Sequence, residues 1–229
     1  MPLQGTRLRG FQNQADAIDA ALELAAREGI GAVTFARVAR DTGRSKSAVF
    51  EQFGSVERLR SRVLRRAAES TVGAILWPAQ WTWGVDALLT LLSTMVRRSH
   101  ESEVRLMAAR PESAVAEVLI AALEHAAEAA AARGHLRDGT NPADLALELY
   151  AVGTGLCQAR RELGENATDH GAAEIYDIYV QLRLSPLGRR RLARSFVPAE
   201  AELSDESEEN REFIQRLFRR LRERLGPEP

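Results

Sequence analysis

From Gln14 onward the apolar positions of this chain recur at helical spacing. Ile18, Leu22 and Ala25 share a face, with Ala15 and Ala21 alongside, because side chains three and four apart lie on one side of a helix. Gly29 and Gly31 stop that helix. Thr34 is placed to cap a second, short helix that turns Phe35, Val38 and Ala39 inward. Gly43 ends it, since glycine takes a left-handed backbone without strain. Ser45 caps a third helix, Lys46 to Phe53. After Gly54, Ser55 caps a fourth with Val56, Leu59, Val63 and Ala67 on one face. The 20 residues from Thr34 to Phe53 accommodate two helices of about two turns each and the turn between them. Two short helices about a glycine-containing turn, with one helix before and one after, make a helix-turn-helix.

Beyond it, "WPAQWTWG" at 77–84 gathers all three tryptophans around Pro78 and Gly84 and reads as a connector. The pattern then predicts helices over 85–98, 102–109 and 112–133. Asn141 followed by Pro142 is a helix start, a cap and then proline at the first position. That helix runs to about 163, another occupies 169–184, and Pro186 ends the compact part. The last stretch puts Phe213, Ile214, Leu217, Phe218, Leu221 and Leu225 on one helical stripe, with Arg211, Arg216, Arg219, Arg220 and Arg222 opposite. Such a stripe is expected to be covered, by its own or a partner subunit, with the acidic 199–209 as tether. The rival is a basic amphipathic helix lying on DNA or a membrane surface. The fold class is therefore all-α. The expected units are an arm at 1–13, a helix-turn-helix domain at 14–74, a larger helical domain at 75–186 and a tail at 187–229.

Composition narrows the chemistry. The single cysteine, Cys157, excludes an internal disulfide and a cysteine-based zinc site, and reads as a small buried apolar side chain. No apolar stretch reaches the roughly 18 residues of a membrane span, and no signal peptide opens the chain, so a cytoplasmic protein is expected. The net charge of −1 conceals an asymmetry, since residues 1–70 carry 12 basic and 8 acidic side chains. A basic head on an acidic body suits a polyanion.

The chain has one lysine among its 31 basic residues, and it stands at the start of the third helix. In a helix-turn-helix the second helix enters the major groove, and its N-terminal residues reach base edges. Phosphates favour nearby helix N-termini, where unpaired N–H groups and the helix dipole point outward. Arg44, Ser45, Lys46 and Ser47 supply charged and hydroxyl donors there, with Glu51 and Gln52 further along.

Residues "ADAIDAALELAAREGIGAVTFARVARDTGRSKSAVFEQFGSVERLRSRVL" resemble, from end to end, the DNA-binding domain of the TetR family of transcriptional regulators. The resemblance implies that Thr34 and Ser45 cap helices facing phosphates. It also implies that Lys46, Ser47, Phe50, Glu51 and Gln52 lie on the DNA side, with Phe53 and Leu59 in the core. Three positions depart from the family pattern. Phe50 replaces the usual tyrosine, Val56 replaces a lysine, and Arg44 stands where an apolar residue is common.

The resemblance further implies a ligand-binding and dimerising second domain. Its paired helices would match 142–163 and 169–184, and Gly153 and Gly155 would either permit close helix approach or merely bend the helix. The implied partners are double-stranded DNA, a second copy of the chain and an unidentified small molecule, with no cofactor or membrane. Regulation is expected to be repression, released from a palindromic operator by the ligand. Aromatic and sulfur side chains suited to pocket walls are Trp81, Trp83, Met95, Met107, Tyr150 and Cys157. Each also suits plain core. His170, Glu174 and Asp177 share a helical face, and His100 neighbours Glu101 and Glu103. A charged helix surface gives both patterns, and no phosphate-binding, dinucleotide or paired-histidine motif is present. No catalysis and no metal are expected. The alternative is an interaction protein on the same fold that does not bind DNA.

Overall fold

The computed structural model describes residues 3–109, 113–163, 180–195 and 205–226. The helices are α1 (Leu3–Glu28), α2 (Phe35–Asp41), α3 (Lys46–Phe53), α4 (Val56–Leu76), α5 (Val85–Arg97) and α6 (Ser102–Ala109). They continue with α7 (Ser113–Ala132), α8 (Pro142–Leu163), α9 (Pro186–Ser195) and α10 (Asp205–Arg224). Short 3₁₀ turns occupy Ile30–Ala32 and Trp77–Trp81. Among the described residues there is no strand, only an isolated bridge between Leu136 and Leu184.

The first four helices close around Leu22, Val33, Val38, Val49, Phe53, Leu59 and Val63, all buried. Each such side chain contributes about 1.5–3 kcal/mol when fully covered. Gly43 and Gly54 take φ of 66° and 73°, so the chain reverses after α2 and after α3 where a side chain would be strained. Like α1 through its contact with α6, α4 is shared between the head and the body. Its 21 residues span about 30 Å. Its lower half packs Leu59 and Val63 into the head, while Val72, Ile75 and Leu76 join the core of the second layer.

That second layer is α5–α8. Alanine-rich α7 buries Ala122, Ala126, Ala127 and Ala130, so α8 approaches it with little side-chain bulk between. α8 starts as its sequence predicts, with the Asn141 side-chain oxygen accepting from the Ala143 N–H at 3.0 Å.

Two expectations are corrected. Residues 3–13 are not a loose arm, because α1 begins at Leu3. Leucine and arginine between Gly5 and Gly10 are good helix formers, and two glycines at roughly 1 kcal/mol each do not break a helix nucleated downstream. Pro186 does not end the compact part but opens α9, at the first-turn position where its missing N–H costs nothing. Ser185 caps α9 through Gly188 N–H (3.1 Å), and Ser185 N–H donates to His135 O (2.9 Å). A Cβ at Gly188 would stand 2.1 Å from that same carbonyl oxygen, so only glycine fits. The apolar stripe of the tail is covered by its own chain. Ile214, Leu217 and Leu221 are buried where α10 packs on α4, α7 and the Trp77–Trp81 turn. Most of the predicted helix at 169–184 lies outside the described residues, and only its end, 180–183, is seen as helix.

Candidate DNA-reading face

The predicted caps are formed. The Thr34 hydroxyl accepts from Arg37 N–H at 3.4 Å, and the Ser45 hydroxyl from Ala48 N–H at 3.1 Å. The turn between α2 and α3 is closed by Arg44 N–H donating to Ala39 O at 2.8 Å and by the Thr42 hydroxyl donating to Val38 O at 2.7 Å. Val49 and Phe53, four apart, are buried and fix which way α3 faces. Ser45, Lys46, Ser47, Phe50 and Glu51 therefore point outward and are exposed, whereas Thr34, Arg44 and Gln52 are half-buried. Phe50 is 54% exposed and meets Phe35 edge-on, with ring centroids 5.7 Å apart.

Arg44 does more than add a charge. Its Nη1 donates to the Asn13 carbonyl and to Gln52 Oε1, both at 2.9 Å. It therefore ties α1 to α3 and holds the Gln52 amide in one orientation. Sequence spacing carries no sign of this contact. The other end of α1 is tied as well. Arg37 makes a two-pronged pair with Glu28 (2.7 and 2.5 Å), and this hydrogen bonding holds the Glu28 carboxyl below the usual carboxylate range. Arg60 donates to Val33 O and Gly31 O at 3.1 and 2.8 Å, satisfying carbonyls of the turn before α2.

The side chains named as pocket walls fall into more than one group. Cys157 of α8 reaches the Met95 carbonyl of α5 at 3.7 Å, and burial pushes its thiol up to about 11. Met95 and Met107 are buried core. Tyr150 is half-buried, and burial raises its phenol. Trp83 belongs to a different cluster, edge-on to His125, which stacks on Phe213 at 3.9 Å between centroids. The Trp81 side chain lies outside the described residues. A crevice of about 540 Å³ opens instead between the end of α1 and α6, lined by Ala25, Arg27, Ile30, Leu106 and Ala109 among others. Arg105 bridges it, donating to Ala26 O at 3.3 Å. None of the named wall residues lines it. Gly155 has nothing within 4 Å of where its Cβ would stand, so it makes no close helix approach within the chain. His170, Glu174 and Asp177 lie outside the described residues, and no three-residue metal-ligating group occurs among the described ones. No described helix is long and apolar enough to cross a membrane.

Two capped short helices about a glycine turn, on an otherwise helical body, define the class as an all-α helix-turn-helix protein. Residues 17–63 match the family model described as bacterial regulatory proteins, tetR family, so this N-terminal segment is similar to that family's domain. The fold is shared with solved structures at low identity. The repressor SmeT of the Stenotrophomonas maltophilia multidrug efflux pump SmeDEF is 16% identical at a TM-score of 0.60. The match covers 82% of this chain and 95% of SmeT. A gamma-butyrolactone receptor, described as ArpA-like, is 19% identical at a TM-score of 0.54, covering 82% and 95%. A structure described as the molecular basis for control of antibiotic production by bacterial hormones is 21% identical at 0.60, covering 76% and 98%. No curated protein sequence matches the chain.

Proposed function

We propose that this protein is a sequence-specific DNA-binding transcriptional repressor. It reads a palindromic operator as a homodimer and is released by a small molecule. The observation that carries the reading is α3 itself, a capped helix pinned by Val49 and Phe53 that presents Lys46, Ser47, Phe50 and Glu51 to solvent. The Ser45 oxygen accepts from the helix while its own O–H remains a donor for phosphate. Lys46 supplies the charge. Phe50 offers apolar contact of the kind that suits a thymine methyl, and Glu51 can accept from a cytosine amino group. Gln52, oriented by Arg44, reads a base edge.

One head reads too few base pairs to select a site, so two-fold symmetry is part of the proposal. Support comes from α8, where Ala143, Leu147, Ala151 and Gly155 recur every four residues and are all exposed, Leu147 by 57%. A second copy would cover this stripe. The ligand belongs in the α5–α8 layer, near Met95, Met107, Tyr150 and Cys157. One neighbour of similar fold, 18% identical, is a SmeT–triclosan complex. A cytoplasmic location follows from acting on DNA.

The test is selection of fragments of the source genome by the purified protein, followed by titration of the winning sequence between 50 and 200 mM salt. A palindromic consensus bound with a steep salt slope is expected, since displaced counterions drive such binding. A second reading, an interaction protein on this fold, draws on Phe50 and Val56, which remove two polar phosphate donors. Salt-insensitive or sequence-blind binding would favour it.

A further inference from the structure

We infer that α10 is a positioning element for the DNA-reading head, a brace that fixes the angle of α4 against the body. The inference rests on the dimeric DNA reading proposed above, and it concerns residues outside the head.

α10 lies antiparallel to the upper half of α4. At its start, buried Asn210 donates from Nδ2 to both the Ala79 and Thr82 carbonyls, each at 2.8 Å. These carbonyls belong to the joint between α4 and α5, where Ala79 O also accepts from Thr82 N–H and from the Thr82 hydroxyl, each at 3.1 Å, so Asn210 docks on a turn that is already closed. One turn on, Phe213 stacks on His125 of α7. Phe218 stacks on Trp77 at the joint, with centroids 4.9 Å apart and planes at 17°. It also lies 3.7 Å from where a Cβ on Gly73 would stand, an ordinary contact distance, so α10 lies close on α4 at this point. At the far end the Gly226 carbonyl accepts from Arg65 of α4, and Arg224 pairs with Glu117 of α7 at 3.1 Å. One helix thus holds α4, the joint and α7 together.

The consequence is mechanical. α4 carries Leu59 and Val63 into the head and is one unbroken rod. From Gly73 to Val56 it runs about 25 Å, so a 5° swing at the joint moves its lower end by roughly 2 Å. With two heads this amounts to about 4 Å, close to one base-pair step of roughly 3.4 Å. Half-sites must lie about one helical turn apart, so the brace would set which operator spacing is accepted.

The full chain carrying Asn210→Ala, and separately Phe218→Ala, is compared with Val118→Ala, a core change in α7. Operator libraries holding the half-site sequence constant and varying its spacing by one or two base pairs are scored for each. Wild type and Val118→Ala are expected to prefer one spacing by tenfold or more. The two brace variants should fall below threefold while half-site sequence preference is unchanged. Unaltered spacing preference in both brace variants overturns the brace. Should wild type select no DNA, the DNA reading fails, and the brace is judged by a distance alone. Spin labels at Ser61→Cys and Glu128→Cys, both exposed positions, are measured in chain diluted with unlabelled protein. A broadened distribution in Phe218→Ala supports the brace, and an unchanged one overturns it.

Discussion

Ser45 is the position at which folding and DNA binding separate most sharply. Its hydroxyl oxygen accepts from Ala48 N–H at 3.1 Å and caps an eight-residue helix. A helix that short does not form alone. Ser45→Ala removes the acceptor and is expected to cost about 1 kcal/mol, within the usual cap range of roughly 0.5–2. That lowers Tm by about 2–4 °C for a chain of this size and leaves it folded. Ser45→Asp keeps an acceptor oxygen and adds a negative charge at the positive end of the helix dipole, worth about 0.3–1 kcal/mol. Its stability should match or exceed wild type.

DNA binding should run the other way. Aspartate beside Lys46 places a negative charge where a phosphate is proposed to sit. Two like charges at 4 Å repel by about 1 kcal/mol in water and about 4 kcal/mol at a partly desolvated surface. Since about 1.4 kcal/mol is tenfold, Ser45→Asp is expected to weaken operator binding by tenfold or more and to flatten the salt slope by about one. Thermal unfolding and anisotropy titrations at several salt concentrations read both effects. Wild-type affinity and slope in Ser45→Asp would show that this helix end does not face phosphate. Instability equal to Ser45→Ala would refute the capping.

Lys46→Ala should weaken binding to every sequence alike and reduce the salt slope by about one, measured by the same titration on specific and random duplexes. Arg44→Ala releases Gln52 and the Asn13 carbonyl. It should relax preference at the base pair that Gln52→Ala also relaxes, with the two changes non-additive in a double-mutant cycle. Leu147→Glu puts a charge into the exposed α8 stripe and should yield monomers by sedimentation at micromolar concentration, with operator affinity falling and the fold intact. Cys157, pushed up to about 11 by burial, should resist alkylation at pH 7.5 until the protein unfolds. Because its folded value is raised, the stability it lends is full below about pH 9 and is lost as pH climbs through about 11. Flat stability across that window would contradict the burial.

The head was legible because its determinants are local. Thr34, Ser45 and Ser55 each bond an N–H three residues on, and Gly43 and Gly54 mark reversals by backbone geometry alone. The start of α1 is not legible for a related reason. Apolar periodicity begins at Gln14, but a helix once nucleated extends through polar residues that leave no such trace. Pro186 was ambiguous in sequence, since proline both follows helices and opens them. Ser185 one residue before it was the signal that decides, a cap directly ahead of proline.

The Arg44 tie and the docking of α10 are illegible for the opposite reason, sequence separation. Arg44 reaches Asn13 across 31 residues, and Asn210 reaches the Ala79 carbonyl across 131. No period links such partners. The apolar stripe on α10 announced that something covers it, because burial of Ile214, Leu217 and Leu221 follows from spacing. It did not say what, because any apolar surface would serve. The direction comes from polar atoms, which have few acceptable partners when buried. Asn210 bonds two carbonyls, Ala79 O and Thr82 O, where α4 meets α5. Specific docking therefore lies in the one polar residue of an apolar face. For that reason Asn210→Leu should be the more telling substitution than a loss of bulk elsewhere on α10. It keeps the helix apolar and covered but removes the register. If the brace depends on register, Asn210→Leu will widen the accepted operator spacings with little loss of Tm. If it depends only on apolar area, spacing preference will stay as in wild type, and the weight placed on this asparagine is wrong.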